Sequence, residues 1–443
     1  MSANHEFSKA IDDLVLSTYT FLDEPGVAVI VTQTGKVIHR KGYGIANIEF
    51  GISIEPDMVF RLGSISKQFT AIAVLMLVEQ GKVALDDPIT KFLPDYPTHG
   101  HLITVEHLLT HTSGIKSYTD MPEWSSVQRK DFTVEELINF FKYQPMQFAP
   151  GKRWFYNNSG YILLGAIIEK ASRLTYEQFV QQNIFDVLGM KQSYYDLPQH
   201  IIPQRVCGYQ KGLDGYINAE YLSMTQAYAA GALASSVDDL AKWDAALYTE
   251  QLIPQKMLQQ AFTAHKLAKT NYGYGWFITD YEGHQMVEHG GGIHGFATHA
   301  IRIPDECIFV AVFSNNEDKA YKVEPLTVKI ATLLIGKPYQ EPLPIQISSK
   351  LLASYQGVYQ FLDGIEAIIT YENDILCFRV KDRPPLEYIA VSPTEFILKL
   401  NSFYRLKFIS NTQGVVTGAE FKYRLDPPEA AKKIAKPLPE LQQ

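Results

Sequence analysis

The sequence predicts an α+β protein. It should form an antiparallel sheet flanked by helices, with a large helical subdomain, followed by a separate C-terminal antiparallel β-barrel. Three observations carry this. Strand-like segments open and close the first part of the chain while helical sequence fills its middle, so the two ends have to meet in one antiparallel sheet. A stretch holding Pro338, Pro342 and Pro344 among polar neighbours then breaks the pattern as a linker. Beyond it, strand patterning with interspersed turns dominates, which suits a small barrel. The expected division is residues 1–337, a linker over 338–349, and a barrel over 350–426 with a loose tail to 443.

Each element follows from its pattern. Ile11, Leu14, Val15 and Tyr19 recur at helical spacing, and Pro25-Gly26 should end that helix. Val27–Val31 and Lys36–Arg40 read as strands joined at Gln33-Thr34-Gly35, a hairpin signal. Residues 64–80 read as a buried helix with Gly81 after it, and residues 105–145 as short helices and loops. A further helix is expected over 158–172, with Leu163, Leu164, Ile167 and Ile168 on its apolar face. Residues 222–248 are alanine-rich and helical, broken at Ser235-Ser236 before the first-turn acids Asp238 and Asp239. Strands are expected at Tyr274–Ile278, Gln285–His289, Phe296–Arg302 and Ile308–Phe313, then a helix over 322–335. The barrel strands include Gly357–Phe361, Ala367–Tyr371, Leu376–Val380, Glu395–Leu400 and Tyr404–Phe408, with turns at Asp363-Gly364 and Glu372-Asn373-Asp374.

Composition narrows the function. The chain has 443 residues, 46% of them hydrophobic and 20% charged, enough for a large core without metal or disulfide staples. Forty basic against 48 acidic side chains give a net charge of −8, which argues against nucleic acid as the main partner. The longest apolar window, Ala71–Val78, stops at Glu79, too short for a membrane span. No basic segment leads into an apolar stretch at the N-terminus, so a cytoplasmic location is the default expectation. Cys207, Cys307 and Cys377 are too far apart in sequence for a metal knuckle and are expected as core or half-buried thiols. No metal and no cofactor are expected.

Three short motifs could carry chemistry. In Gly63-Ser64-Ile65-Ser66-Lys67, Lys67 follows Ser64 by one helical turn, on the same face. A lysine neutralised by burial can accept a serine proton, and a helix N-terminus offers N–H groups to an oxyanion. Ser-x-x-Lys is common by chance, and its plain alternative is a helix-capping serine and a surface lysine. In Tyr156-Asn157-Asn158-Ser159, Tyr156 is a candidate proton shuttle and Asn158 offers both a donor and an acceptor to a substrate amide. The alternative is simple capping of the next helix. In His289-Gly290-Gly291-Gly292-Ile293-His294, glycines allow close backbone approach and His289 is a candidate acid or base. The alternative is a glycine-rich hairpin. The residue pattern leaves open whether His111 or His294 reaches a cleft.

Taken together, Ser64–Lys67, Tyr156–Asn158 and His289–Gly291 resemble, in order and spacing, the three motifs of the serine β-lactamase and penicillin-binding-protein superfamily. The likeness is to its branch of class C β-lactamases, D-alanyl-D-alanine carboxypeptidases, D-aminopeptidases and esterases. Pro25–Val29, Leu108–Ile115 and Ala230–Leu240 are also family-like, and the resemblance spans roughly residues 8–335. It implies the β-lactamase/transpeptidase-like fold and a lipocalin-like barrel. It also implies that Ser64 is the acylated nucleophile, Lys67 its base or relay, and Tyr156 the proton path to the leaving group. His289 would hold the first position of the third motif. Asn158, Gly291 and Gly292 would bind substrate, the N–H groups of Ser64 and Gly292 forming the oxyanion hole.

Many relatives carry lysine then threonine where this chain has His289 and Gly290. A neutral imidazole binds a carboxylate less strongly than an ammonium does. The expectation therefore leans to acyl transfer on amides or esters of small substrates, D-amino-acid-containing peptides or carboxylic esters. β-Lactamase or D,D-carboxypeptidase action, and a non-catalytic penicillin-binding role, are the alternatives. A homo-oligomer is left open.

Overall fold

In the computed structural model the described residues are 3–265, 270–361, 364–372, 375–380, 385–423 and 429–438. The first helix, α1 (Ala3–Thr18), buries Ile11 and Val15. It ends at Thr18, short of Pro25-Gly26, with the Ser17 and Thr18 hydroxyls bonded to the Leu14 carbonyl and a last helical bond from the Tyr19 N–H to the Val15 carbonyl. Strands β1 (Val27–Gln33) and β2 (Lys36–Tyr43) form the expected hairpin. A single 3-10 turn, Gly63–Ile65, carries Ser64 and leads into α2 (Ser66–Glu79). Helix α3 (Asn158–Ser172) begins where the pattern placed it. Helix α4 (Val237–Ala246) is capped by Ser236, whose Oγ accepts from the Asp239 N–H.

The later strands are β3 (Phe277–Tyr281), β4 (His284–Ile293), β5 (Phe296–Ile303) and β6 (Ile308–Ser314), followed by helix α5 (Ala320–Leu334). Strand β3 starts later than expected. Tyr274-Gly275-Trp276 instead form a tight turn, with the Gly273 N–H bonded to the Trp276 carbonyl and Tyr272 bridged to Phe277. The sheet order is β3-β4-β5-β6-β1-β2, antiparallel throughout. Val29 pairs with Val312, so the two ends of this unit do meet in one sheet. Every residue of β5 and β6 is buried, which requires cover on both faces. Ala28 and Ile30 point into the core formed with Ile72 and Trp243, while Val27, Val29 and Val31 alternate to the other face.

The chain divides into two compact units, Met1–Pro338 and Tyr339–Gln443. In the second, helix α6 (Ser349–Tyr355) precedes eight strands in a closed barrel. They are β7 (Gly357–Phe361), β8 (Glu366–Glu372), β9 (Ile375–Val380), β10 (Leu386–Ala390), β11 (Glu395–Leu398), β12 (Asn401–Ser410), β13 (Val416–Tyr423) and β14 (Glu429–Ile434). Strand β14 comes from the segment expected to be a loose tail. It pairs with both β13 and β7 and turns Ala431 into the core, so it closes the barrel. Closure satisfies the backbone groups that an edge strand would leave open. The interior holds its own side chains, among them Tyr355 stacked on Phe408 at 3.9 Å. Of the expected turn residues, Asp363, Asn373 and Asp374 lie outside the described residues. Cys207 and Cys307 are half-buried, Cys377 is buried, and all three are free thiols. Among the described residues, no helix is long and apolar enough to cross a membrane.

Candidate active site

Ser64 is half-buried on the 3-10 turn ahead of α2, and Lys67 lies one turn further along, fully buried. The surface-lysine alternative therefore fails. Lys67 Nζ has three partners: Ser64 Oγ at 3.0 Å, Asn158 Oδ1 at 2.8 Å and the Ala230 carbonyl at 2.9 Å. None is anionic. Burial pulls the amine well below its ordinary 10.5, because no carboxylate repays the lost hydration of the cation. Neutral lysine has two N–H bonds and one lone pair. The amide oxygen of Asn158 and the Ala230 carbonyl can only accept. In the neutral amine these two acceptors take the hydrogens, which leaves the lone pair facing the Ser64 hydroxyl.

Asn157 and Asn158 divide the two readings of the second motif. Asn157 is the helix cap, its Oδ1 accepting from the Gly160 N–H at 2.8 Å. Asn158 turns to the site, held by its Nδ2 donating to Thr119 Oγ1 at 3.1 Å and its N–H donating to Ser117 Oγ at 3.2 Å. The Tyr156 ring lies 4.9 Å from Lys67 Nζ. Its buried hydroxyl forms no hydrogen bond of good geometry. Burial raises its pKa, and the nearby Ser64 hydroxyl opposes that rise.

The third motif lies on β4. Ile293 pairs with Phe296 across a two-residue turn, so hydrogen-bonded and non-bonded pairs alternate back from it. Gly292, opposite Ala297, falls at a non-bonded position, its N–H directed away from β5. A Cβ on Gly63 would come within 3.0 Å of that nitrogen, so the Gly292 N–H faces the Ser64 turn. Gly291 packs on the Leu62 carbonyl, where a side chain would overlap backbone. The Thr298 hydroxyl also donates to Leu62 O, at 2.7 Å, tying β5 to the same turn.

His289 is buried, and both ring nitrogens are engaged. Nδ1 lies 2.6 Å from the Gly290 carbonyl, which can only accept, so Nδ1 carries the proton. Nε2 then accepts from Tyr272 Oη at 3.0 Å. Burial pushes its pKa down to about 3. His289 is thus a neutral imidazole turned to Tyr272, with its ring 6.1 Å from that of Tyr156.

The fold brings Ser64, Lys67, Tyr156 and Asn158 into one cluster, with Gly291 and Gly292 against the Ser64 turn and His289 behind Tyr156. Several partners had no separate sequence signal: the Ala230 carbonyl, Ser117, Thr119, Tyr272 and Thr298. The Ala229 and Ala230 carbonyls reach Thr70 and Lys67 just after Tyr228, a non-glycine residue at φ 37°. That strained backbone in an alanine-rich stretch is the feature that re-aims them. His294 is at the β4–β5 turn, its Nδ1 donating to the Glu220 carbonyl at 3.2 Å, while His111 is buried beside Tyr156.

Residues 19–332 match the Beta-lactamase family. Penicillin-binding protein 4* of Bacillus subtilis (strain 168) is 28% identical over 399 residues, covering 84% of this chain and 87% of its own length. A D-aminopeptidase of Gluconobacter oxydans (strain 621H) is 25% identical over 361 residues, covering 79% of this chain and 66% of its own length. Among solved structures, the octameric penicillin-binding protein homologue from Pyrococcus abyssi superposes with a TM-score of 0.69 at 26% identity, covering 97% of this chain and all of that one. With the match extending over most of the first unit and the three motifs gathered at one cleft, the chain belongs to the beta-lactamase family of serine-hydrolase type.

Proposed function

We propose that the protein is a serine hydrolase that forms an acyl-enzyme on Ser64 and acts on amide or ester bonds of small substrates, D-amino-acid-containing peptides and amides or carboxylic esters foremost. The observation that carries this is Lys67: fully buried, without an anionic partner, and 3.0 Å from Ser64 Oγ. A neutral amine there takes the Ser64 proton as Oγ attacks the substrate carbonyl carbon. The Ser64 and Gly292 N–H groups receive the negative charge that develops on the carbonyl oxygen. As the intermediate collapses, the proton passes from Lys67 through Tyr156 to the departing nitrogen or oxygen. Water then attacks the ester, its proton returns by the same pair, and the acid leaves with Ser64 restored. Asn158 anchors Lys67 and offers its amide to the acyl part of the substrate.

The neutral, fully engaged His289 supports the leaning to amide and ester substrates over β-lactamase or carboxypeptidase action, because it offers no cation to a substrate carboxylate. The D-aminopeptidase relative supports a D-configured acyl group. The test is initial rates on a D-amino-acid amide, its L-enantiomer, a short-chain nitrophenyl ester and a chromogenic cephalosporin, with Ser64→Ala as control. Turnover of the amide or ester that vanishes in Ser64→Ala is expected. A many-fold preference for the cephalosporin would reverse the substrate order. No turnover and no fluorophosphonate label on Ser64 in folded protein would favour a binding role instead.

A further inference from the structure

Tyr156 has to place a hydroxyl between Ser64 and a leaving group, yet that hydroxyl forms no hydrogen bond of good geometry to hold it. Its position must come from its backbone and its ring. Both lead to one residue. The His111 carbonyl accepts from the Phe155 N–H at 3.0 Å, and His111 Nδ1 accepts from the Asn157 N–H at 3.1 Å. The residues on either side of Tyr156 are therefore tied to the backbone and the side chain of the same histidine. The His111 ring also lies 4.5 Å from the Tyr156 ring, and it touches Tyr161 and Tyr272 behind it. His111 itself is 1% exposed and holds φ 59°, a backbone conformation that asparagine, aspartate and histidine adopt more readily than other side chains.

We propose that His111 is a positioning residue, acting through Tyr156: a neutral clamp that fixes the Phe155–Asn157 backbone and the Tyr156 ring. The assignment rests on the reading of Tyr156 as a proton carrier. A ring nitrogen that accepts from an amide N–H must be unprotonated, so Nε2 carries the single proton. Nε2 has no hydrogen-bond partner, and the working contact is therefore the one at Nδ1. Burial keeps the ring neutral. Asparagine is the conservative test: its Oδ1 can replace Nδ1 as acceptor, and it tolerates the left-handed backbone.

The experiment compares His111→Ala, His111→Asn, Tyr156→Phe and the double variant His111→Ala/Tyr156→Phe, using the fastest chromogenic amide or ester and thermal unfolding in parallel. His111→Gly, suited to the left-handed backbone, replaces the alanine variant if that one does not fold. Expected is a fall in kcat on the order of 100-fold for His111→Ala, since a misplaced catalytic group costs about that much, with KM little changed. His111→Asn should recover most of it. In the Tyr156→Phe background His111→Ala should cost no more than about threefold, because residues acting through one another do not add. Equal loss in the alanine and asparagine variants would overturn the clamp, and so would full additivity in the double variant. If His111→Ala keeps the wild-type kcat while Tyr156→Phe loses it, the role of Tyr156 stands and the clamp falls. If Tyr156→Phe keeps the wild-type kcat, the proton-carrier reading falls and the clamp with it.

Discussion

Gly291 lies directly on the Leu62 carbonyl, and a Cβ at that position would overlap both that oxygen and the Thr298 hydroxyl bonded to it. Leu62 immediately precedes the Gly63–Ile65 turn, so this contact sets how far β4 stands from Ser64.

The first prediction is drawn from that contact. Gly291→Ala has to push β4 off the turn, since the obstacle is backbone and no rotamer relieves it. It widens the gap between the Ser64 and Gly292 N–H groups. Turnover should fall by at least about 100-fold, the cost of one lost oxyanion donor. Melting temperature should also drop. Steady-state kinetics and thermal unfolding check both, and a wild-type rate would mean the strand is not held there.

Lys67 gives a stability prediction of opposite sign to its catalytic one. Its folded pKa lies below the unfolded 10.5, so between the two the unfolded chain binds the extra proton, and stability rises with pH through that window. Lys67→Met should abolish turnover yet leave the fold at least as stable at neutral pH, with a flatter dependence of stability on pH up to the alkaline range. Denaturant titrations at several pH values test it.

Asn158 can be used to move that titration. Asn158→Asp places a carboxylate where Oδ1 now lies 2.8 Å from Nζ. An adjacent opposite charge favours the ammonium form and raises the lysine pKa. The acid limb of kcat/KM should shift to higher pH, with activity low at neutral pH and partly regained in alkali. Asn158→Ala should lower activity without that shift. A pH–rate profile separates the two.

Far from the cleft, Arg302 and Asp244 form a buried ion pair at 2.9 Å, with the guanidinium over the rings of Tyr248 and Phe262. Burial still holds the Asp244 carboxyl up at about 6 despite the arginine. Arg302→Met strands that carboxylate and should cost about 3–5 kcal/mol. The double variant Arg302→Met/Asp244→Leu should recover much of the loss, because a buried pair is worth little more than an apolar one. Chemical denaturation of the three proteins measures it.

The architecture was largely legible because it rests on periodicity. The continuous apolar, β-branched runs of β1 and β6, and the apolar run of α2, are local patterns that survive folding. One misplaced end shows where local hydrogen bonds intervened: the turn at Gly273–Trp276 delayed β3. Strand β14 was missed because a short strand rich in lysine, following two prolines, reads as tail until its two neighbours are in place.

By itself the sequence named the candidate side chains, Ser64, Lys67, Tyr156 and Asn158, and the resemblance of their three motifs to a known family implied the roles proposed for them. Tertiary structure alone decided their protonation and aim. Lys67 is held well below the ordinary range of an amine because the fold buries it among acceptors that carry no charge, and one of them is the backbone carbonyl of Ala230, which has no sequence signature. His289 is turned to Tyr272 and not to open solvent, and His111 becomes a clamp only because Phe155 and Asn157 return to it from over 40 residues away. Every residue except proline carries the same backbone N–H and C=O, so which of them meet, and which charges burial removes, is fixed only when distant segments pack.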